Sequence, residues 1–212
     1  MKKILLFILP LFLFSFLFLG RAQFQSDFTK NESLILFKEG KILIDFSFDV
    51  AEGEHFTNQD LQGKWTLFFI GYTFCPDICP TTLAHLDSVY PKLTAQPYNE
   101  IQIVFVSVDP NRDKAEELAE YVHYFNSEFI GVTSTHKQLW PFAQNLGLIY
   151  SIVDQEVANH DYFVDHSASI VLINPEGEHH ASFQSTTNAE GIFSVKMDLM
   201  VENIHQMYKN WY

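Results

Sequence analysis

Cysteine is scarce in this chain: there are two in 212 residues, Cys75 and Cys79. Two are too few for a disulfide framework or an iron–sulfur cluster. Positive charge is scarce as well, with 13 Lys and Arg against 26 Asp and Glu and a formal net charge of −13. A surface of that sign repels nucleic acid and excludes a polyanion-binding role. It suits solubility, and equally a cationic partner. The imbalance deepens once Lys2, Lys3 and Arg21 are set aside with the N-terminal segment, which carries no acid. There is no internal repeat, and no low-complexity stretch follows that segment.

What is present allows one medium domain with a sizeable core, since 47% of residues are hydrophobic. Residues 4–19 are almost purely apolar after Lys2-Lys3. As a helix they span roughly 24 Å at ~1.5 Å per residue, short of the ~30 Å hydrocarbon core. Gly20-Arg21-Ala22 offers a cleavage point after Ala22, and no cysteine follows to carry a lipid. Residues 1–22 are therefore expected to be a signal peptide or a membrane anchor. The two lysines put the N-terminus in the cytoplasm and the domain outside. No Arg- and Ser-rich presequence precedes the run, which points to the bacterial cell envelope, on the exported side of the inner membrane. Residues 23–40 are polar and mixed and read as a tether, leaving 41–212 as the domain.

Along the domain, 42–48 alternates like a strand, whereas 65–72 and 101–108 are continuous apolar runs of strands buried on both faces. Helical spacing covers 81–90, where Pro91 disfavours continuation. Asp109-Pro110-Asn111-Arg112-Asp113 reads as the cap of a helix reaching Phe125. A short strand at 129–132 precedes a helix from Thr135 toward Leu146, which Pro141 is expected to kink or delay. Another short strand spans 150–153. Asn174-Pro175-Glu176-Gly177 signals a hairpin between 169–173 and 179–183, and 192–209 closes the chain as a helix. The order predicts an α/β, thioredoxin-like fold: a central mixed sheet flanked by helices.

In that arrangement Cys75 and Cys79 end the first central strand and open its helix. The segment just before the terminal hairpin, Asp165-His166-Ser167-Ala168, lies beside them. A Cys75–Cys79 disulfide would close a tiny loop and restrain little of the unfolded chain. Pro76 and Pro80 push both cysteines away from helical dihedrals, so a helix is expected to start at Pro80 with Cys79 at its cap. The spacing permits a disulfide but leans toward chelation, because two sulfurs on one metal tolerate a wider gap. Thiolates select Cu(I), zinc or clusters; structural zinc wants four ligands, and the facing loop offers one obvious candidate. Cys75, Cys79 and His166 thus read as a copper site, suited to Cu(I) and allowing Cu(II). Asp77 is expected either to raise the thiol pKa by like-charge repulsion or simply to favour a helix start. Asp165 is placed to orient the His166 ring. Among the other histidines, His160 is an accessory-ligand candidate or a loop residue. His85 points off the cysteine face, His123 and His136 fall in helical or capping positions, and His179-His180 are expected to be solvated.

At these residues the chain resembles the SCO/SenC family of copper chaperones for cytochrome c oxidase assembly. The matching segments are 60–65, Phe69-Ile70-Gly71-Tyr72-Thr73-Phe74-Cys75-Pro76-Asp77-Ile78-Cys79-Pro80, 106–113, 129–133 and Val164-Asp165-His166-Ser167. The resemblance covers about residues 42–185 and implies copper on Cys75, Cys79 and His166. It also implies delivery to the dicopper site of cytochrome c oxidase subunit II, with a separate protein as copper donor. The family's usual Gly-Gly-x-Phe opening is absent, and the C-terminal helix does not align, so partner surfaces are the part least carried over. Two other classes compete. A thiol–disulfide oxidoreductase maintaining the cysteines of that subunit would not need His166. A peroxidase-like protein would want one activated cysteine with Arg or Thr nearby.

Overall fold

A computed structural model describes residues 33–95, 100–153, 162–187 and 193–211. The expected N-terminal leader and His160 lie outside these. Among the described residues no helix is long and apolar enough to cross a membrane.

Ten strands and four α-helices position the site. They are β1 (Leu34–Ile42), β2 (Ser47–Asp49), β3 (His55–Thr57), β4 (Trp65–Gly71), α1 (Ile78–Thr94), β5 (Ile101–Ser107) and α2 (Ala115–Phe125). There follow β6 (Ile130–Val132), α3 (His136–Asn145), β7 (Tyr150–Val153), β8 (Phe163–His166), β9 (Ile170–Ile173), β10 (Glu178–Phe183) and α4 (Met197–Trp211). A two-residue pair, 186–187 with 193–194, precedes α4.

The six-stranded sheet runs β1-β10-β9-β4-β5-β6. β4, β5 and β6 are parallel; β9, β10 and β1 are each antiparallel to their neighbours. Every residue of β4, β5 and β9 is buried, as their unbroken apolar sequences require of strands covered on both faces. Alternation along β4 shows the two layers. Trp65 meets Tyr208 and Trp211 of α4, and Phe69 meets Phe105. Phe68, pointing the other way, packs with Phe142 of α3 and with Phe46 and Phe56 around the β2–β3 hairpin. This is the mixed, helix-flanked, thioredoxin-like architecture that the element order predicted.

Several local expectations change. Residues 34–40, read as tether, form most of β1, an edge strand with exposed Lys38, Glu39 and Lys41; its order comes from pairing with β10 rather than from its own composition. The strand expected over 42–48 breaks after Ile42. Side chains take over the backbone there: Asn145 accepts from the Ile44 N–H, Asn58 from Phe46 and Gln138 from Ser47. α1 starts at Ile78, not Pro80. Pro80 sits within the first turn, where no backbone donor is needed; Pro91 lies inside the helix, which runs past it to Thr94 at the loss of one backbone donor. α3 likewise runs through Pro141. α2 begins only at Ala115, and its Lys114 N–H is met by Glu117 at 3.4 Å. Asp109 and Asp113 are therefore not its caps. His179 is buried rather than solvated, 2% exposed, with Nε2 2.8 Å from Ser182 Oγ.

Candidate metal centre

β4 ends at Gly71 beside Ser107 of β5, and the chain turns through 72–77 into α1. Cys75 lies on this turn, its N–H donated to the Tyr72 carbonyl at 3.2 Å. Cys79 is in the first turn of α1 and fully buried; Cys75 is 9% exposed. Both are free thiols. His166 ends β8, opposite Tyr150 of β7, so a strand holds it rather than a loop. The Ser167 N–H, donated to the Ile149 carbonyl at 2.9 Å, extends that pairing past His166.

The three sequence-predicted residues converge. Cys75 Sγ, Cys79 Sγ and a ring nitrogen of His166 all lie within 4.8 Å of one another, the one such group among the described residues. His166 Nε2 is 3.2 Å from Cys79 Sγ. Bonds of about 2.0–2.3 Å to a soft ion put two donors at most roughly 4.6 Å apart. A small inward rotation therefore places all three on one ion. Three donors, with no fourth grouped with them among the described residues, suit Cu(I) better than structural zinc.

The ring is held by its own main chain. His166 Nδ1 lies 3.2 Å from the Ser167 carbonyl. A carbonyl only accepts, so Nδ1 is the donor in this contact, and Nε2 is the ring atom turned to the sulfurs. Asp165, expected to orient the ring, is exposed and on the opposite face of β8. Phe69 and Tyr72 wall the imidazole edge-on, with centroids at 6.1 and 6.0 Å.

The reduced pair is polarised. The Cys79 thiol hydrogen-bonds to Cys75 and holds the Cys75 thiol far below the usual range, against burial; a hydrogen bond from His166 and the backbone N–H groups of Asp77 and Cys79 add to this. Burial pushes the Cys79 thiol up, reinforced by the hydrogen bond and the negative charge of Cys75. The contact between the sulfurs thus favours negative charge on the more accessible one, Cys75. Asp77 acts on Cys75 through its N–H, opposite in sign to the repulsion expected of its carboxylate. That side chain is exposed and caps nothing.

The other described histidines stay outside this group. His85 and His123 are exposed, and His136 Nδ1 meets the Tyr150 hydroxyl at 3.0 Å. Sequence reasoning missed Gly71, Thr73, Asp109, Arg112 and Asp113 as parts of the site. The two acids stood immediately after a buried strand, which was the signal available.

The SCO1/SenC family model matches residues 37–200. The SCO2-like protein of Rickettsia prowazekii is 30% identical over 174 residues, covering 81% of this chain and 78% of its own. The mouse mitochondrial SCO2 homologue is 39% identical over 134 residues, covering 63% and 52%. The chain spans 66%, 52% and 45% of the length of three such curated relatives. Among solved structures, Arabidopsis thaliana ScoI with copper bound matches with TM-score 0.66 at 29% identity, covering 79% of this chain and 99% of that one. Yeast Sco1 with copper bound matches with TM-score 0.65 at 27%, covering 78% and 89%. The family model spans both the cysteine turn and the strand that ends at His166: this chain belongs to the SCO1/SenC family.

Proposed function

We propose that this protein is a copper metallochaperone. It takes one copper ion on Cys75, Cys79 and His166 and delivers it to the dicopper site of cytochrome c oxidase subunit II. The observation that carries the reading is the approach of two sulfurs and one imidazole to within 4.8 Å of one another. Copper bound to the Arabidopsis and yeast relatives supports it. Copper is held by thiolates, so its uptake releases the protons that the two sulfurs carry. Cys79 is sealed inside, so uptake and release run past Cys75 and the half-buried His166. A copper donor protein supplies the ion. The work is done at the bacterial envelope, on the exported side of the inner membrane, with residues 1–22 as anchor or cleaved leader. The oxidoreductase reading is the weaker one, because it leaves the 3.2 Å approach of His166 to Cys79 without a role.

The reduced chain, exposed to Cu(I) and passed through gel filtration, is predicted to hold one copper per molecule by elemental analysis. The Cys75–Cys79 disulfide form is predicted to hold none. Copper near zero in the reduced chain, a clear preference for zinc, or equal retention after oxidation would overturn the reading.

A further inference from the structure

Asp109 and Asp113 are both fully buried, at either end of one short turn. Each reaches a different half of the metal centre. Asp113 accepts from the Thr73 N–H at 2.9 Å, the Thr73 hydroxyl at 2.5 Å and the Ser107 hydroxyl at 2.6 Å. Thr73 lies two residues before Cys75, so this carboxylate pins the cysteine turn to the end of β5. Asp109 accepts from the Tyr162 hydroxyl and from Arg112 Nε, both at 2.5 Å. Arg112 Nη1 donates to the Tyr162 carbonyl at 3.0 Å. Tyr162 is the residue immediately before β8, which ends at His166.

The guanidinium also bridges the two halves. It lies 3.8 Å from the Tyr162 ring centroid, 4.9 Å from Phe74 and 5.5 Å from Tyr72. Phe74 adjoins Cys75, and Tyr72 walls His166. A buried ion pair is a poor device for stability alone, since desolvation offsets most of its attraction. Here the side-chain contacts of the pair beyond itself go to Tyr162, on the approach to His166, and to Tyr72 and Phe74 on the cysteine turn. A planar five-donor fork with stacking faces suits that bridging task.

We propose that the 109–113 turn is a two-armed clamp setting the separation between the cysteine pair and His166, with Arg112 as the positioning residue on the histidine side. Its bearing on copper rests on the function proposed above; its bearing on the geometry of the metal-free protein does not. The Asp113 arm fixes where the sulfurs stand. The Asp109–Arg112–Tyr162 arm fixes where the imidazole stands relative to them.

The test uses the full reduced chain with three substitutions and two readouts. The first readout is the NMR shift of the His166 ring protons without metal, set by the Phe69 and Tyr72 rings. The second is affinity for Cu(I) and for Cu(II), measured separately. Arg112→Ala is expected to move the His166 shift toward that of a free histidine. It is also expected to cost about tenfold or more in Cu(II) affinity and far less in Cu(I), because Cu(II) depends more on nitrogen. Thr73→Val is expected to leave the His166 shift in place and to weaken both oxidation states alike. If Arg112→Ala fails to fold, Tyr162→Phe removes one hydroxyl, keeps the ring, and is expected to move both readouts in the Arg112→Ala direction by less. An unmoved His166 shift in a folded Arg112→Ala or Tyr162→Phe protein would overturn the clamp. Equal loss of Cu(I) and Cu(II) on Arg112→Ala would do so too. A wild-type chain that binds no copper would sink the proposed function, while the metal-free shift would still decide the clamp.

Discussion

At Gly71 a β-carbon would stand 2.6 Å from Cys79 Sγ and 2.7 Å from the Phe105 ring. The missing side chain is what lets the buried sulfur reach the end of β4. Gly71→Ala is expected to cost about 1–3 kcal/mol, as overpacking does, and to displace Cys79 from the site. Chemical denaturation and Cu(I) competition check the two halves of that statement. His166→Ala is expected to weaken Cu(I) modestly and Cu(II) severely, because two thiolates hold the softer ion by themselves. Asp165→Ala is expected to change neither, since the Ser167 carbonyl and not that carboxylate meets the ring. A Cu(II) loss on Asp165→Ala comparable to that on His166→Ala would refute this account of the ring's support. The three residues that converge were legible in the sequence as chemistry: two soft donors and one imidazole in the right order. Gly71 was not, because the space it leaves exists only after β4, β5 and α1 are packed.

Between elements, the edge strand β1 depends on a buried histidine. His179 of β10 packs edge-on against Phe37 of β1 with centroids 4.7 Å apart. Burial, with the nearby charge of Lys41, lowers its pKa to about 4. The folded value lies below the ordinary one of about 6.5, so the unfolded chain binds the extra proton first as pH falls. This contribution to stability is therefore complete above pH 6.5 and is lost on the way down to 4. The loss amounts to about 3 kcal/mol by pH 4. Urea unfolding of wild type and His179→Phe at pH 7 and pH 4.5 checks it. The wild type should lose more between the two pH values than the variant; parallel losses would contradict the assignment. The long elements were legible because β4, β5 and β9 are unbroken apolar runs and the helices carry clear periodicity. β1 and β8 were not. Their residues are mixed, and other strands supply the hydrogen bonds that make them strands: β10, far along the chain, for β1, and the preceding β7 for β8.

Over the whole molecule, the sheet brings the cysteine turn after β4, the 109–113 turn after β5 and the end of β8 into one place. The strand–helix alternation made that convergence readable, since a parallel β4–β5 pair puts both following turns at the same edge. The roles within the 109–113 turn were not readable: Asp-Pro-Asn-Arg-Asp before a helix has the composition of a cap, and only burial of both acids shows the other use. The central claim is that Cys75, Cys79 and His166 act together as one copper site. X-ray absorption on the Cu(I)-loaded, reduced full chain tests it most directly, read beside the His166→Ala variant. The wild type should show two sulfur neighbours and one imidazole nitrogen around copper, and the variant two sulfurs with the imidazole signature gone. An imidazole contribution that survives His166→Ala, or a wild-type copper without two sulfurs, would contradict it.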